Sequence, residues 1–121
     1  MRGKSKILVV DDQPGIRHLV AEVLEENDYE VTLAANGQEA LSVMHKTKPE
    51  VVLLDMKMPD MNGLQVLQQM NSSGENIPVI MMTAFDEQNL IEQAEELGAK
   101  GFLAKPFDIN QIIEAVSNIC S

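Results

Sequence analysis

The stretch Leu53–Gly63, LLDMKMPDMNG, decides how the chain is read. An apolar run, Val51 to Leu54, ends on a carboxylate, Asp55. A strand of unbroken hydrophobes is buried on both faces, as the strands of a parallel sheet are. Pro59 and Asn62-Gly63 then turn the chain. A charge that closes a buried strand is costly unless something pairs with it. The stretch therefore asks which other residue supplies the partner.

Short apolar runs alternate with longer stretches of helical period. Lys6–Val10 (KILVV) reads as the first strand, and Pro14 suits the first position of a helix, where its missing N–H costs nothing. Ile16, Leu19, Val20, Val23 and Leu24 follow at helical spacing. They span an arc of about 140°, wider than the roughly 100° of a core stripe. Tyr29–Ala34 is the second strand. Asn36 opens a second helix running to Lys46, with Glu39 at the capping-box position. Val51–Asp55 is the third strand, and Gly63–Met70 a helix with Leu64, Leu67 and Met70 on one side. Pro78–Ala84 is the fourth strand. Leu90, Ile91, Ala94 and Leu97 mark a helix that Gly98 stops. Gly101–Ala104 is a short fifth strand, and Asp108 caps a last helix in which Ile109, Ile112, Ile113, Val116 and Ile119 recur at helical spacing. Strands alternating with helices predict an α/β fold: a parallel sheet, helices on both faces, right-handed crossovers. Such sheets bind ligands beyond the carboxyl ends of their strands.

The 121 residues suit one ordinary domain, and 45% hydrophobic content suffices for a core. The net charge of −10 argues against binding nucleic acid or an anionic membrane surface, both of which want a basic face. A lone cysteine, Cys120, precludes an intramolecular disulfide and fits a reducing cytoplasm. The apolar run before Asp11-Asp12 is too short for a signal peptide, and no window approaches a membrane span. A cytoplasmic protein is expected.

Each strand end but one deposits a reactive group. The first gives Asp11 and Asp12, the third Asp55, the fourth Thr83, the fifth Lys105. Singly these are ordinary: an Asp pair in a turn, a Thr in a strand, a Lys-Pro in a loop. At successive strand ends they converge on one edge of the sheet. Two carboxylates about 4 Å apart repel by roughly 4 kcal/mol at an effective dielectric of about 20. A divalent cation cancels that, and an all-oxygen set without His or Cys favours Mg²⁺, which keeps waters and takes carboxylates together with a phosphate. Lys105 adds a fixed positive charge. A carboxylate so placed can act as a nucleophile and form an aspartyl-phosphate, a reaction that needs mainly positioning and charge neutralisation.

The segments VVDDQ, LLDMKMPDMNG, MMTA and FLAKPFD, in this order and spacing, resemble the receiver domain of two-component response regulators. The resemblance covers essentially the whole chain, so residues 1–121 read as one receiver domain. It implies a flavodoxin-like (βα)5 fold with strand order 2-1-3-4-5. It implies Asp55 as phosphoacceptor, Asp12 as a direct Mg²⁺ ligand, Asp11 reaching the metal through water, and the Lys57 carbonyl as a further ligand. Mn²⁺ or Ca²⁺ would substitute. The Lys57 side chain would lie beside the site and tune dephosphorylation. Thr83 matches the switch hydroxyl, Phe102 the aromatic switch position and Lys105 the phosphate-contacting lysine, with Lys105-Pro106 in the cis form. Phe102 departs from the Tyr or His common there; it lacks a hydrogen-bonding tip, which leaves steric coupling to Thr83. Such a protein is no enzyme towards other molecules and catalyses only its own phosphorylation and dephosphorylation.

VDDQPGIRHLV, AANG, LLDMKMPDMNG and AKPFDI are more narrowly similar to the single-domain receivers of the sporulation phosphorelay in endospore-forming bacteria. The implied partners are a sensor histidine kinase, a histidine phosphotransferase and, as a further candidate, a phosphatase, acting on a monomer. The sequence stops just after the last helix, so output by contact with another protein is expected. Gln13, Gly15, Ile16, Leu19, Pro106 and Phe107 are the candidate partner surface, with Ile16 and Leu19 on the site's side of the wide apolar arc. A terminal receiver that binds a target when phosphorylated is the alternative. An aspartate-nucleophile phosphatase would want a second acid where Lys57 stands, and a flavin-binding protein a hydroxyl- and glycine-rich loop where DDQPGI places two acids. A mere scaffold would have no use for the complete set of Asp11, Asp12, Asp55, Thr83 and Lys105. His18 and His45 read as solvated, most methionines as core, and the acids of EQNLIEQAEELG, from Glu87 on, as a solvated helix face.

Overall fold

A computed structural model describes residues 4–84 and 87–120. Five strands, β1 (Lys6–Val10), β2 (Glu30–Ala34), β3 (Val51–Asp55), β4 (Val79–Ala84) and β5 (Gly101–Lys105), form one parallel sheet in the order β2-β1-β3-β4-β5. Helices α1 (Pro14–Glu26), α2 (Gly37–Thr47), α3 (Gly63–Ser73), α4 (Gln88–Glu96) and α5 (Ile109–Cys120) alternate with them. The architecture and strand order agree with the expectation.

Because side chains alternate along a strand, the central strands feed two cores. Leu8, Val10, Val52, Leu54 and Met81 pack with Leu64, Leu67 and Met70 of α3 and Ala94 of α4. Ile7, Val9, Val51, Leu53 and Ile80 pack with Val20, Val23 and Leu24 of α1 and Ile112 and Val116 of α5. Burial on both sides explains why β1, β3 and β4 read as solid hydrophobe. Met44, Met56, Met58, Met70, Met81 and Met82 are buried, as expected of core methionines, whereas His18 and His45 are exposed.

Several boundaries differ from the sequence reading. The apolar stripe of α3 ends at Met70, but the helix runs to Ser73, where Gly74 at φ 77° closes it. β2 begins at Glu30 and β5 extends to Lys105. Gly98, at φ 99°, stops α4 as expected. Asp108 caps α5 reciprocally: it accepts from the Gln111 N–H and its own N–H donates to Gln111 Oε1, both at 2.8 Å. Ile109 shares the period of the α5 stripe yet is 56% exposed.

Candidate functional site

Parallel register brings the strand ends together. Val10 lies opposite Leu54, so Asp11 and Asp55 emerge side by side, each one residue further on. Carboxylate oxygens of Asp11, Asp12 and Asp55 all lie within 4.8 Å of one another. Asp11 is fully buried, Asp55 is 5% exposed, and Asp12 faces solvent. The partner that Asp55 requires is Lys105: its Nζ donates to Asp55 Oδ1 at 3.2 Å and to Asp11 Oδ2 at 2.9 Å. Asp11 is held further by the Gln13 N–H on its Oδ1 at 2.9 Å. The Lys105-Pro106 bond is cis.

One cation between two buried acids does not neutralise both. Burial pushes the Asp55 carboxyl up to about 6, the Asp11 charge adds to the rise, and Lys105 opposes it. For Lys105, burial disfavours the ammonium, but the hydrogen bond it donates to Asp11 and the charges of both acids outweigh it and hold its pKa above the usual lysine value. The site thus keeps an excess of negative charge on hard oxygen donors, without His or Cys. That donor set fits a divalent cation of the Mg²⁺ type.

A cavity of about 240 Å³ opens over these groups. Asp12, Gln13, Asp55, Lys57, Ala84, Glu87 and Lys105 line it. The β3–α3 turn that carries Asp55 is tightly fixed. Asn62 and Gln65 form a full capping box at the start of α3, each accepting the other's N–H at 2.9 Å. A Cβ on Gly63 would meet the Asp55 carbonyl oxygen at 2.7 Å, so only glycine allows the helix to start this close to the strand. Thr83 is buried in β4 at 2% exposure. It lies opposite Ala104, while Phe102 lies opposite Met81, so Thr83 and Phe102 share a sheet face one diagonal step apart. Phe102 is half-buried against the core on that face.

Of the candidate partner residues, Gln13 lines the cavity and Pro106 follows directly on Lys105, which also lines it. Gln13, Gly15 and Pro106 are exposed, Leu19 is 45% exposed, and Ile16 and Phe107 both pack half-buried against the α1–α5 core. Ile109 adds an exposed apolar side chain that the sequence reading had not set apart.

Glu87 overturns an expectation. Glu92, Glu95 and Glu96 are solvated, but Glu87 is only 5% exposed and lines the cavity. Its Oε1 accepts the Ala84 N–H. Its Oε2 lies 3.3 Å from Lys57 Nζ and, among the described residues, accepts no hydrogen bond. The one signal in the sequence was spacing: an acid three residues past a strand end can reach back to the last strand N–H.

Residues 7–117 match the response regulator receiver domain, and the chain belongs to that family, whose general function is phosphorylation-dependent signalling. Among its relatives is the sporulation initiation phosphotransferase F of Bacillus subtilis, 50% identical over 92% of this chain and 90% of that one. The chemotaxis protein CheY of Listeria monocytogenes is 37% identical over 92% of this chain and 94% of its own. The solved structure of chemotaxis protein CheY4 of Vibrio cholerae superposes with a TM-score of 0.89 at 31% identity, covering 97% of this chain and 99% of that one. Receiver domains are phosphoacceptor signalling proteins and bind Mg²⁺ at an acidic pocket. Among the described residues no helix is long and apolar enough to cross a membrane.

Proposed function

We propose that residues 1–121 form a single receiver domain in which Asp55 accepts a phosphoryl group from a kinase phosphohistidine and passes it to a histidine phosphotransferase. The observation that carries this is a buried carboxylate, Asp55, lining a cavity with one ammonium 3.2 Å away and two further acids beside it. An Asp55 carboxylate oxygen attacks phosphorus, the P–N bond breaks, and its electron pair returns to the imidazole nitrogen. The product is an aspartyl-phosphate; the reverse displacement by another histidine regenerates the carboxylate. Lys105 holds a phosphoryl oxygen, and burial keeps water scarce around the new acyl phosphate. Asp12, Asp55, the Lys57 carbonyl and, through water, Asp11 would hold Mg²⁺, which neutralises charge on the phosphoryl oxygens when bound; Mn²⁺ or Ca²⁺ would substitute. Thr83 swings its hydroxyl to the phosphoryl group, and Phe102 follows by steric coupling.

The relay reading draws on the sporulation phosphotransferase relative and on the partly apolar surface beside the cavity, formed by Gln13, Gly15, Ile16, Leu19, Pro106 and Phe107. That surface docks a sensor histidine kinase and a histidine phosphotransferase, with a phosphatase acting on the same face of a cytoplasmic monomer. The chemotaxis relative supports a second reading, a terminal receiver that binds a target when phosphorylated. A transfer assay separates them. The protein is charged with a small phosphodonor and Mg²⁺, freed of donor, and mixed with the histidine phosphotransferase of its organism. Rapid movement of label to histidine is expected; retention on this chain would favour the terminal reading.

A further inference from the structure

We propose that Glu87 is an internal competitor for the phosphoryl group: in the unphosphorylated protein its carboxylate occupies the Ala84 N–H and attracts the Lys57 ammonium, two hydrogen-bond donors that a phosphoryl on Asp55 would otherwise take. The inference rests on Asp55 being the phosphoacceptor and names a residue that sets how readily it accepts. Ala84, Lys57, Glu87 and Asp55 wall one cavity. A phosphoryl group built on Asp55 brings several strong acceptor oxygens into that space and needs donors for them. On the β4 side of the cavity, the Ala84 N–H is already spent on Glu87 Oε1. The Lys57 ammonium sits 3.3 Å from Glu87 Oε2.

Glu87 is poorly satisfied in that role. It is 5% exposed, yet among the described residues Oε2 finds no hydrogen-bond donor, and Lys57 itself is largely in solvent. A buried acceptor left without a hydrogen bond carries a desolvation cost. A carboxylate with one hydrogen bond, its other oxygen held only by the charge of a largely solvated ammonium, is an acceptor that a better anion can displace. The arrangement also explains why a buried acid stands at the start of α4, among glutamates otherwise turned to water. Three acids already crowd the site. A fourth negative group at its wall opposes the arrival of a phosphoryl group unless it moves away. Phosphorylation at Asp55 then frees Glu87 and changes the start of α4, so that charge arriving at β3 is read out at β4 and α4.

Equilibrium binding of beryllofluoride, a tetrahedral mimic of an acyl phosphate, tests this in the presence of Mg²⁺. Glu87→Ala should bind about tenfold more tightly than the unaltered protein, the 1.4 kcal/mol scale of one charge-assisted hydrogen bond no longer competed away. Glu87→Gln keeps the shape and a neutral acceptor and should gain about threefold, which preserves the test if Glu87→Ala does not fold. A loop staple would behave oppositely: its removal would leave affinity unchanged or weaken it, and either result overturns the proposal. The Ala84 amide resonance is a second readout. Competition predicts that it shifts when beryllofluoride binds the unaltered protein and shifts further in Glu87→Ala, where the N–H passes from having no carboxylate acceptor to a fluoride of the adduct. An unmoved resonance means that Glu87 keeps the N–H, which contradicts displacement. Asp55→Asn serves as control. If the unaltered protein binds no beryllofluoride, the phosphoacceptor reading falls and this proposal with it. If it binds, Asp55→Asn does not, and the Glu87 variants match the unaltered protein, only the competitor role fails.

Discussion

The two sides of the cavity are fastened differently. On the β3 side, Asp55 leads into a turn closed by the Asn62–Gln65 capping box, by buried Met56 and Met58, and by Gly63 pressed against the strand backbone. On the β4 side, Ala84 and the start of α4 are joined by the Glu87 N–H on the Ala84 carbonyl at 3.3 Å and by the Glu87 carboxylate on the Ala84 N–H, and among the described residues the second carboxylate oxygen has no hydrogen bond. The nucleophile thus sits on the fixed side, and the side that must respond is held by a contact that another anion can replace. Preorganised geometry favours the transfer step, whereas a switch needs an element with two states of similar energy.

The largest expected effect attacks the fixed side. Gly63→Ala forces a Cβ to within 2.6 Å of Met81 Cε and 2.7 Å of the Asp55 carbonyl oxygen. The backbone contact cannot relax by a rotamer change, so a loss of about 3 kcal/mol is expected in urea unfolding, the upper range for overpacking. A loss under about 1 kcal/mol would show the β3 turn to be less rigid than its packing implies.

The next expectation concerns the charge that the fixed side holds. Asp55 has a carboxyl raised from 3.8 to about 6, so the folded state favours its protonated form. Folding takes up a proton between those values, and stability falls as pH rises through that window. Asp55→Asn removes this cost and should stabilise the protein by about 2 kcal/mol at neutral pH, with the gain vanishing below the unfolded value. Unfolding curves of both proteins across the window check the sign. An Asn variant that is less stable at neutral pH would mean that Lys105 more than compensates the buried charge.

Metal binding should track the same proton. Cation ligands must be deprotonated, so Mg²⁺ affinity should fall about tenfold for each unit of pH below the Asp55 value of about 6. Titration calorimetry at neutral and mildly acidic pH reads this directly, and a flat profile would remove Asp55 from the ligand set. The smallest effect tests the cap. Asn62→Ala should cost about 1 kcal/mol of stability. Its effect on beryllofluoride affinity should be smaller than that of Glu87→Ala, since it loosens the side that does not switch.

Much of this was legible from residue order. Val51–Leu54 followed by Asp55 announced a doubly buried strand with chemistry at its end, and Asp11, Asp12, Thr83 and Lys105 occupied equivalent ends. Parallel topology then forces them together, because every such strand delivers its carboxyl end to the same edge. Glu87 escaped because an acid inside a run of acids on an amphipathic helix has the composition of a solvated face; its burial depends on Lys57 and Ala84, which composition does not report. Ile109 escaped for the converse reason, since periodicity says which residues share a face and not whether anything covers it. The left-handed turns at Asp28, Lys48 and Asp60 carry no glycine and gave no local signal.

The most direct test of the account is labelling of intact protein with a small phosphodonor and Mg²⁺, followed by mass measurement and peptide mapping after reduction of the acyl phosphate. One phosphoryl group on the peptide that holds Asp55, absent from Asp55→Asn and lost when a chelator removes Mg²⁺, is the predicted result. Undiminished labelling of Asp55→Asn would contradict it.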